Sequence, residues 1–235
     1  MTLVRKSRSA SGLSAAVAAC IALGLVLVAA GAGSDRGTTA KPGPAQPAWT
    51  QTPDAPEVHD TAANLQAVFG KEMNARESYL AYAKQAEAED FPAIGRIFRA
   101  LAKAESIHAR RIVQAIAVGG QPARAVLERV DLGMTADNLK QAIAGERYEA
   151  EVLYPALIAR ARADRQPMAV RALTLALATE RQHVRLLEQG LEHLEERPAA
   201  ATIYVCPYCG RTTDTLDFRK CPGCYTSASR FLRPA

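Results

Sequence analysis

Glu72 precedes Glu105-Ser-Ile-His108, and Glu146 precedes Glu180-Arg-Gln-His183. The intervals from lone Glu to Glu-x-x-His, 72 to 105 and 146 to 180, differ by a single position, so the same set of two acids and a histidine occurs twice. Residues three apart share a helix face, so each Glu-x-x-His can aim a carboxylate and an imidazole at one point. A lone Glu from each of two helices, with Glu-x-x-His from each of two others, is the ligand pattern of bundles that hold two metals. Surface charge on amphipathic helices would explain any one of these glutamates. It does not explain six residues in duplicated register, and buried carboxylates are costly to assemble without a cation. Mixed carboxylate and imidazole donors suit iron or manganese better than copper or a thiolate-seeking metal.

The duplication extends beyond the ligands. Thr61-Ala-Ala-Asn64-Leu65 opens one copy and Thr135-Ala-Asp-Asn138-Leu139 the other, with the lone Glu at the same distance from the Asn in both. Each Thr is read as a capping helix start. Leu65, Val68, Phe69, Met73, Tyr79, Leu80 and Ala83 form an apolar helical face that Phe91-Pro92 interrupts. A second helix is predicted from Pro92 to Val118, ended by Gly119-Gly120. Gln121 to Met134 is the crossover. A third helix runs from Ala136 to about Arg162, a turn spans Asp164 to Gln166, and a fourth helix runs from Pro167 to Glu196. The expected fold is mainly α, a ferritin-like four-helix bundle over residues 59–198. Only 6% of residues are aromatic, which favours Ala/Leu helical packing over a β-sandwich. The net charge of +5 comes from Lys and Arg interleaved with Glu, a solvated helix surface rather than a nucleic-acid patch.

Residues 199–235 carry a second motif. Cys206-Pro-Tyr-Cys209 and Cys221-Pro-Gly-Cys224 are Cys-x-x-Cys knuckles with eleven residues between them. Four thiolates so spaced enclose one tetrahedral metal, iron or zinc, and two disulfides are the alternative.

Glu149 breaks the symmetry of the halves. It follows Glu146 by three positions on the same face, whereas its counterpart is Ala75. Taken alone, and beside Glu151, it reads as a solvated charge.

The N-terminus differs in kind. Arg5, Lys6 and Arg8 precede an uncharged stretch, Ser9 to Ser34, that reads as an export signal or membrane anchor over residues 1–33. Ala30-Gly-Ala32 offers a cleavage site, yet the stretch is long enough to span a bilayer uncleaved. Cys20 offers a lipoprotein reading that the apolar residues after it oppose. Either way the basic flank is expected to stay in the cytoplasm and the remainder to lie outside, periplasmic or on the outer face of the cytoplasmic membrane. Residues 34–58 hold Pro42, Pro44, Pro47, Pro53 and Pro56 and form a linker.

Together these motifs resemble rubrerythrin, over about residues 60–233. The resemblance rests on Gly70-Lys-Glu72-Met-Asn-Ala75-Arg76-Glu-Ser-Tyr79, Glu105-Ser-Ile-His108, Gly145-Glu146-Arg-Tyr148-Glu149, Leu153-Tyr154-Pro155, Glu180-Arg-Gln-His183 and the knuckles. It implies a rubredoxin-like C-terminal domain, two irons in the bundle, and one iron, or zinc, at the four cysteines. It implies a peroxidase that cleaves hydrogen peroxide to water with electrons from an external donor, relayed through the iron of the four-cysteine site. By matching positions, Glu105 and Glu180 would bridge, Glu72 and Glu146 would be terminal ligands, and His183 would hold one iron. The other iron would be held by Glu149 when oxidised and by His108 when reduced. Tyr79 and Tyr154 would hydrogen-bond the ligand carboxylates. Homodimers are implied, the rubredoxin-like domain of one subunit approaching the bundle of another. A ferroxidase or iron-handling protein with oxygen as substrate and a structural zinc knuckle is the second reading. A non-catalytic docking module is the third. Export departs from the family's mostly cytoplasmic pattern, and Arg5-Lys6-Ser7-Arg8 lacks a twin-arginine pair, so metal would be inserted outside.

Overall fold

The computed structural model describes residues 55–234 apart from 197 and 200. The expected signal or anchor and most of the linker lie outside the described residues. Among the described residues no helix is long and apolar enough to cross a membrane.

Helix α1 spans Thr61–Ala88 and α2 Pro92–Val118. The second pair is α3 (Thr135–Tyr148), a π-helical turn at Glu149–Leu153, α4 (Tyr154–Ala163) and α5 (Pro167–Glu192). The predicted third helix is therefore interrupted, and a 3₁₀ turn at Leu194–Glu196 replaces the last residues expected of the fourth. Proline at the first position of α2 and of α5 costs nothing there, since that N–H has no partner within the helix.

The threonines do not cap. Asp60 is the N-cap of α1, its carboxylate accepting from the Ala63 N–H, and Met134 precedes α3 without a side-chain cap. Thr61 instead donates its N–H and hydroxyl to Asp164, at the end of α4, at 3.0 and 2.7 Å. Thr135 donates its N–H to Glu89, at the end of α1, at 2.9 Å. The repeated threonine thus ties the start of one helix to the end of its mate in the other half. The repeated Asn64 and Asn138 clamp the preceding backbone at His59 and Gly133.

Residues 121–134 contain no regular element. This crossover is held along α1 by evenly spaced side chains: Gln66 bonds Pro122 and Arg124, Asn74 bonds Val126 and Glu128, and Tyr82 bonds Asp131.

Two apolar clusters fill the bundle. One gathers Leu65, Val68, Ile112, Ile116, Leu157 and Leu173; the other gathers Tyr79, Phe98, Leu101, Leu139 and Leu187. Each wholly buried side chain such as Phe98, Leu101 or Ile112 contributes about 1.5–3 kcal/mol. Glu72, on α1 between Val68 and Tyr79, falls where the two clusters part, so the polar site is walled by hydrophobic packing above and below.

The C-terminal segment forms a two-stranded antiparallel ribbon, β1 (Tyr204–Val205) with β2 (Thr212–Thr213), in the register Tyr204 to Thr213. Val205 also bridges Leu232. Ile203 and Val205 pack on Ala100, Ala104 and Ile107 of α2, so the ribbon lies against its own bundle.

Candidate dinuclear metal centre and its four-cysteine neighbour

The four helical ligand segments converge. Glu72, Glu105, His108 and Glu180 present donor atoms within 4.8 Å of one another, as do Glu105, Glu146, Glu180 and His183. Glu105 and Glu180 belong to both sets. His108 Nδ1 lies 2.8 Å from Glu105 Oε2, 3.0 Å from Glu180 Oε1 and 3.4 Å from Glu72 Oε2. His183 Nδ1 lies 2.9 Å from Glu180 Oε2, 3.4 Å from Glu105 Oε1 and 3.4 Å from Glu146 Oε2. Each imidazole thus meets one private carboxylate and one oxygen from each shared carboxylate. That is a donor set for two cations.

The donor set fits metal on its own chemistry. Glu72 Oε2, Glu105 Oε1, Glu146 Oε2, both Glu180 oxygens and His183 Nδ1 are buried without a hydrogen-bond partner. Buried polar atoms are rarely left so, and two cations would satisfy all of them. The outer oxygens are already engaged: Tyr79 donates to Glu146 Oε1 at 2.5 Å, and Tyr154 donates to Glu72 Oε1. The tyrosines cross between the halves as mirror images, each holding the lone Glu of the other.

Neither sequence motif reveals what stands behind the histidines. The Thr179 hydroxyl lies 2.7 Å from His108 Nε2 and is also 2.6 Å from the Ala176 carbonyl, to which it donates. The Thr212 hydroxyl lies 3.4 Å from His183 Nε2 and donates to the Gly210 carbonyl. A hydroxyl that has given its proton to a carbonyl accepts from the ring, so Nε2 carries hydrogen and Nδ1 is the nitrogen left to meet a metal once its own proton is displaced.

Burial dominates the electrostatics. It pushes Glu72 and Glu146 well above the usual carboxylate range despite His108 and His183. For Glu105 and Glu180 burial also opposes ionisation, but the attraction of His108 overcomes it and both fall below the usual value. His108 and His183 are raised: burial works against their charge, and the surrounding carboxylates outweigh it. Metal must therefore displace protons. A group raised on folding adds stability below its unfolded value and loses it as pH rises through its folded value. For Glu149, pushed up to about 8 chiefly by burial, that loss falls between about pH 5 and pH 8. Metal-free protein is expected to be more stable near pH 6 than near pH 8, and added divalent metal to raise Tm more at pH 8. Thermal melts with chelator and with metal at both pH values check this; a metal effect larger at pH 6 contradicts it.

Glu149 stands apart from both donor sets. Its carboxylate begins the π-helical turn and lies 3.6 Å from the Lys71 ammonium, with 13% of its side chain exposed. It edges a cavity of about 300 Å³ whose wall also includes Lys71, Ala75, Tyr79, Gly145 and Glu146. The π turn has a mark in the repeat. Tyr154 lies one position further beyond Tyr79 than Glu146 lies beyond Glu72, so one residue is inserted between Glu146 and Tyr154, and a π turn is how a helix absorbs one.

The four cysteines form one cluster, with Cys206, Cys209 and Cys221 buried and Cys224 at its edge. No disulfide joins them; Cys206 and Cys224 sulfurs are 3.5 Å apart and those of Cys209 and Cys221 3.6 Å. The knuckles match one another. Gly210 and Tyr225, each following the second cysteine, have φ of 85° and 61° and return their N–H to Cys206 and Cys221.

The first knuckle sits on the dinuclear site. A Cβ at Gly210 would lie 2.5 Å from His108 Nε2, so only glycine allows this approach, and φ of +85° asks for glycine as well. The Arg111 guanidinium, on α2, lies over the Tyr208 ring, 3.5 Å from its centroid, and bonds the Tyr208 carbonyl; Arg171 on α5 bonds the Tyr208 hydroxyl at 2.7 Å. Within this chain the first knuckle thus approaches its own bundle.

Residues 49–191 match the family model described as Rubrerythrin. Rubrerythrin-2 of Clostridium acetobutylicum is 32% identical over 175 residues, covering 73% of this chain and 95% of that protein. Nigerythrin of Nitratidesulfovibrio vulgaris is 30% identical over 74% of this chain and 86% of its own. Among solved structures, fully reduced, all-ferrous nigerythrin superposes with a TM-score of 0.72 at 28% identity, covering 80% of this chain and 94% of that one. The bundle donors and the four cysteines provide for the family's complement, two irons in the bundle and one at the four-cysteine site. With the ligand register, the ferritin-like fold and the sequence relatives in agreement, the chain is a di-iron oxidoreductase of the rubrerythrin family.

Proposed function

We propose that the protein is a peroxidase, reducing hydrogen peroxide to two waters with two electrons and two protons, the electrons supplied by an external donor through the iron of the four-cysteine site. One observation carries this reading over a ferroxidase with a structural zinc knuckle: the first knuckle is seated on His108 through Gly210 and reaches His183 through Thr212. A knuckle that only folded its own segment would not need contact with both histidines.

When bound, the two irons supply the electrons that cleave the oxygen–oxygen bond. The protein supplies geometry and charge. Glu105 and Glu180, shared between both donor sets, would bridge; Glu72 and Glu146 would be the terminal carboxylates, each oriented by a tyrosine hydroxyl. Burial holds Tyr79 and Tyr154 well above the ordinary phenol value, so both keep their protons and remain donors. His108 and His183, fixed from behind by threonines, would complete the two positions. Glu149, at the wall of the cavity that opens beside Glu146, would be the exchangeable carboxylate, favouring ferric charge when engaged, while the neutral His108 imidazole suits ferrous iron.

Metal analysis with visible absorption should find about three irons per chain, two in the bundle and one at the cysteines, with thiolate charge-transfer bands that change in step with peroxide turnover. Zinc at the cysteines, or a thiolate-bound iron that stays reduced throughout turnover, would favour the ferroxidase reading. A second test concerns Glu149. Glu149→Ala is expected to retain both bundle metals yet slow peroxide turnover about 10- to 100-fold, the worth of one charge-assisted contact. Oxygen-driven iron oxidation should slow less. Unchanged peroxide kinetics would defeat the assignment of Glu149.

A further inference from the structure

We infer that Lys71 is a positioning residue, the ammonium that receives the Glu149 carboxylate whenever it stands off the metal donor set. The inference rests on the reading of Glu149 as an exchangeable ligand and adds the partner that makes the exchange possible.

Among the differences between the halves of the bundle, two beside the site face one another. Lys71 corresponds to Gly145 and Glu149 to Ala75, and all four line the same cavity of about 300 Å³. The halves have thus diverged by placing an ammonium on one side of this cavity and a carboxylate on the other, 3.6 Å apart. The mirror-related pair, Gly145 and Ala75, can make no such contact. Both donor sets are complete without Glu149. A largely buried carboxylate withdrawn from a cation must take up a proton or find another cationic partner, because desolvated charge is costly alone. Lys71 supplies it while keeping 46% of its own side chain exposed, so its ammonium stays hydrated and can follow the carboxylate. An exposed pair would contribute little, but only 13% of the Glu149 side chain is exposed, in a cavity wall that also includes Glu146 and Tyr79.

The test compares Lys71→Met, Lys71→Arg and Glu149→Ala in the full chain. With the bundle loaded with zinc, a redox-inert divalent ion, a crystal structure of the unaltered protein should show His108 bound and Glu149 on Lys71. Lys71→Met should show Glu149 drawn into the donor set. With iron, Lys71→Met should lower the midpoint potential of the bundle irons and slow peroxide turnover about fivefold, and Lys71→Arg should restore both. A Lys71→Met protein with unaltered potential and unaltered Glu149 position overturns the inference. If Glu149→Ala is slow while Lys71→Met is not, only the role of Lys71 fails. If Glu149→Ala turns over normally, the exchangeable-ligand reading fails and takes Lys71 with it.

Discussion

Glu180→Ala should release both bundle metals, while Glu72→Ala should release one. Glu180 places one oxygen against His108 and the other against His183, and neither oxygen has any other partner. Its loss takes a donor from each position at once. Removing a mere outer partner of a metal ligand typically costs 10–100-fold in affinity, so losing a shared carboxylate should exceed about 100-fold at both positions. Glu72 serves only the position shared with His108, and its loss leaves Glu105, Glu146, Glu180 and His183 intact for the other. The helices should survive either change, because the apolar clusters on both sides of the site do not include these side chains. Metal content after gel filtration, with far-ultraviolet circular dichroism as the check on folding, reads the outcome. Two tightly held metals in Glu180→Ala would rule out a bridging role.

What the chain discloses before folding depends on whether the signal is local. Ligand spacing is local: Glu105 and His108 lie one helical turn apart whatever surrounds them, and the repeat confirms which acids count. The knuckles are local too. Proline and glycine mark helix ends clearly, and α2 runs Pro92–Val118 as predicted. The threonine expectation fails for a physical reason. Thr61 sits just inside a helix whose cap is Asp60, and both are good caps by type. The choice is decided by Asp164, far along the chain, which holds Thr61. The π turn is announced by a slip of one position in the repeat, but the ligands alone spread that slip over a whole helix pair. The tyrosines confine it to the residues between Glu146 and Tyr154.

Other contributors carry no local mark. Thr179 is an ordinary helical threonine until His108 is found behind it, and Lys71 is a surface lysine until Glu149 is found opposite. Arg111 and Arg171 resemble the interleaved basic residues of any solvated helix, yet they grip Tyr208 from two helices. These residues act between segments far apart in the chain. Only Glu149 hints at such a role, because the duplication supplies Ala75 for comparison.

The contact between the two metal sites leads to the other large effect. Gly210→Ala should leave all metals bound and yet disconnect the knuckle from the bundle. The new Cβ would stand 2.5 Å from His108 Nε2, 3.0 Å from Cδ2 and 3.4 Å from the Ala104 carbonyl. His108 cannot retreat, since Glu105 and Glu180 hold Nδ1 and Thr179 sits at Nε2. The left-handed backbone adds a further cost of about 1–2 kcal/mol for a residue with a side chain. The knuckle must therefore shift outward, against the hold of Arg111 and Arg171. The cysteines keep their spacing, so the metal they hold and its absorption should be unchanged. A displacement of about 1 Å at a reacting junction costs up to about 100-fold, so electron delivery from the thiolate-bound iron to the bundle should slow about 10- to 100-fold. Oxidation by peroxide of bundle irons reduced beforehand should keep its rate, because Glu149 and the cavity beside it are untouched. Stopped-flow absorption, following the thiolate bands separately from the bundle, distinguishes the two steps. Equal delivery rates in Gly210→Ala and the unaltered protein would mean that electrons reach the bundle by a route other than the knuckle seated on His108.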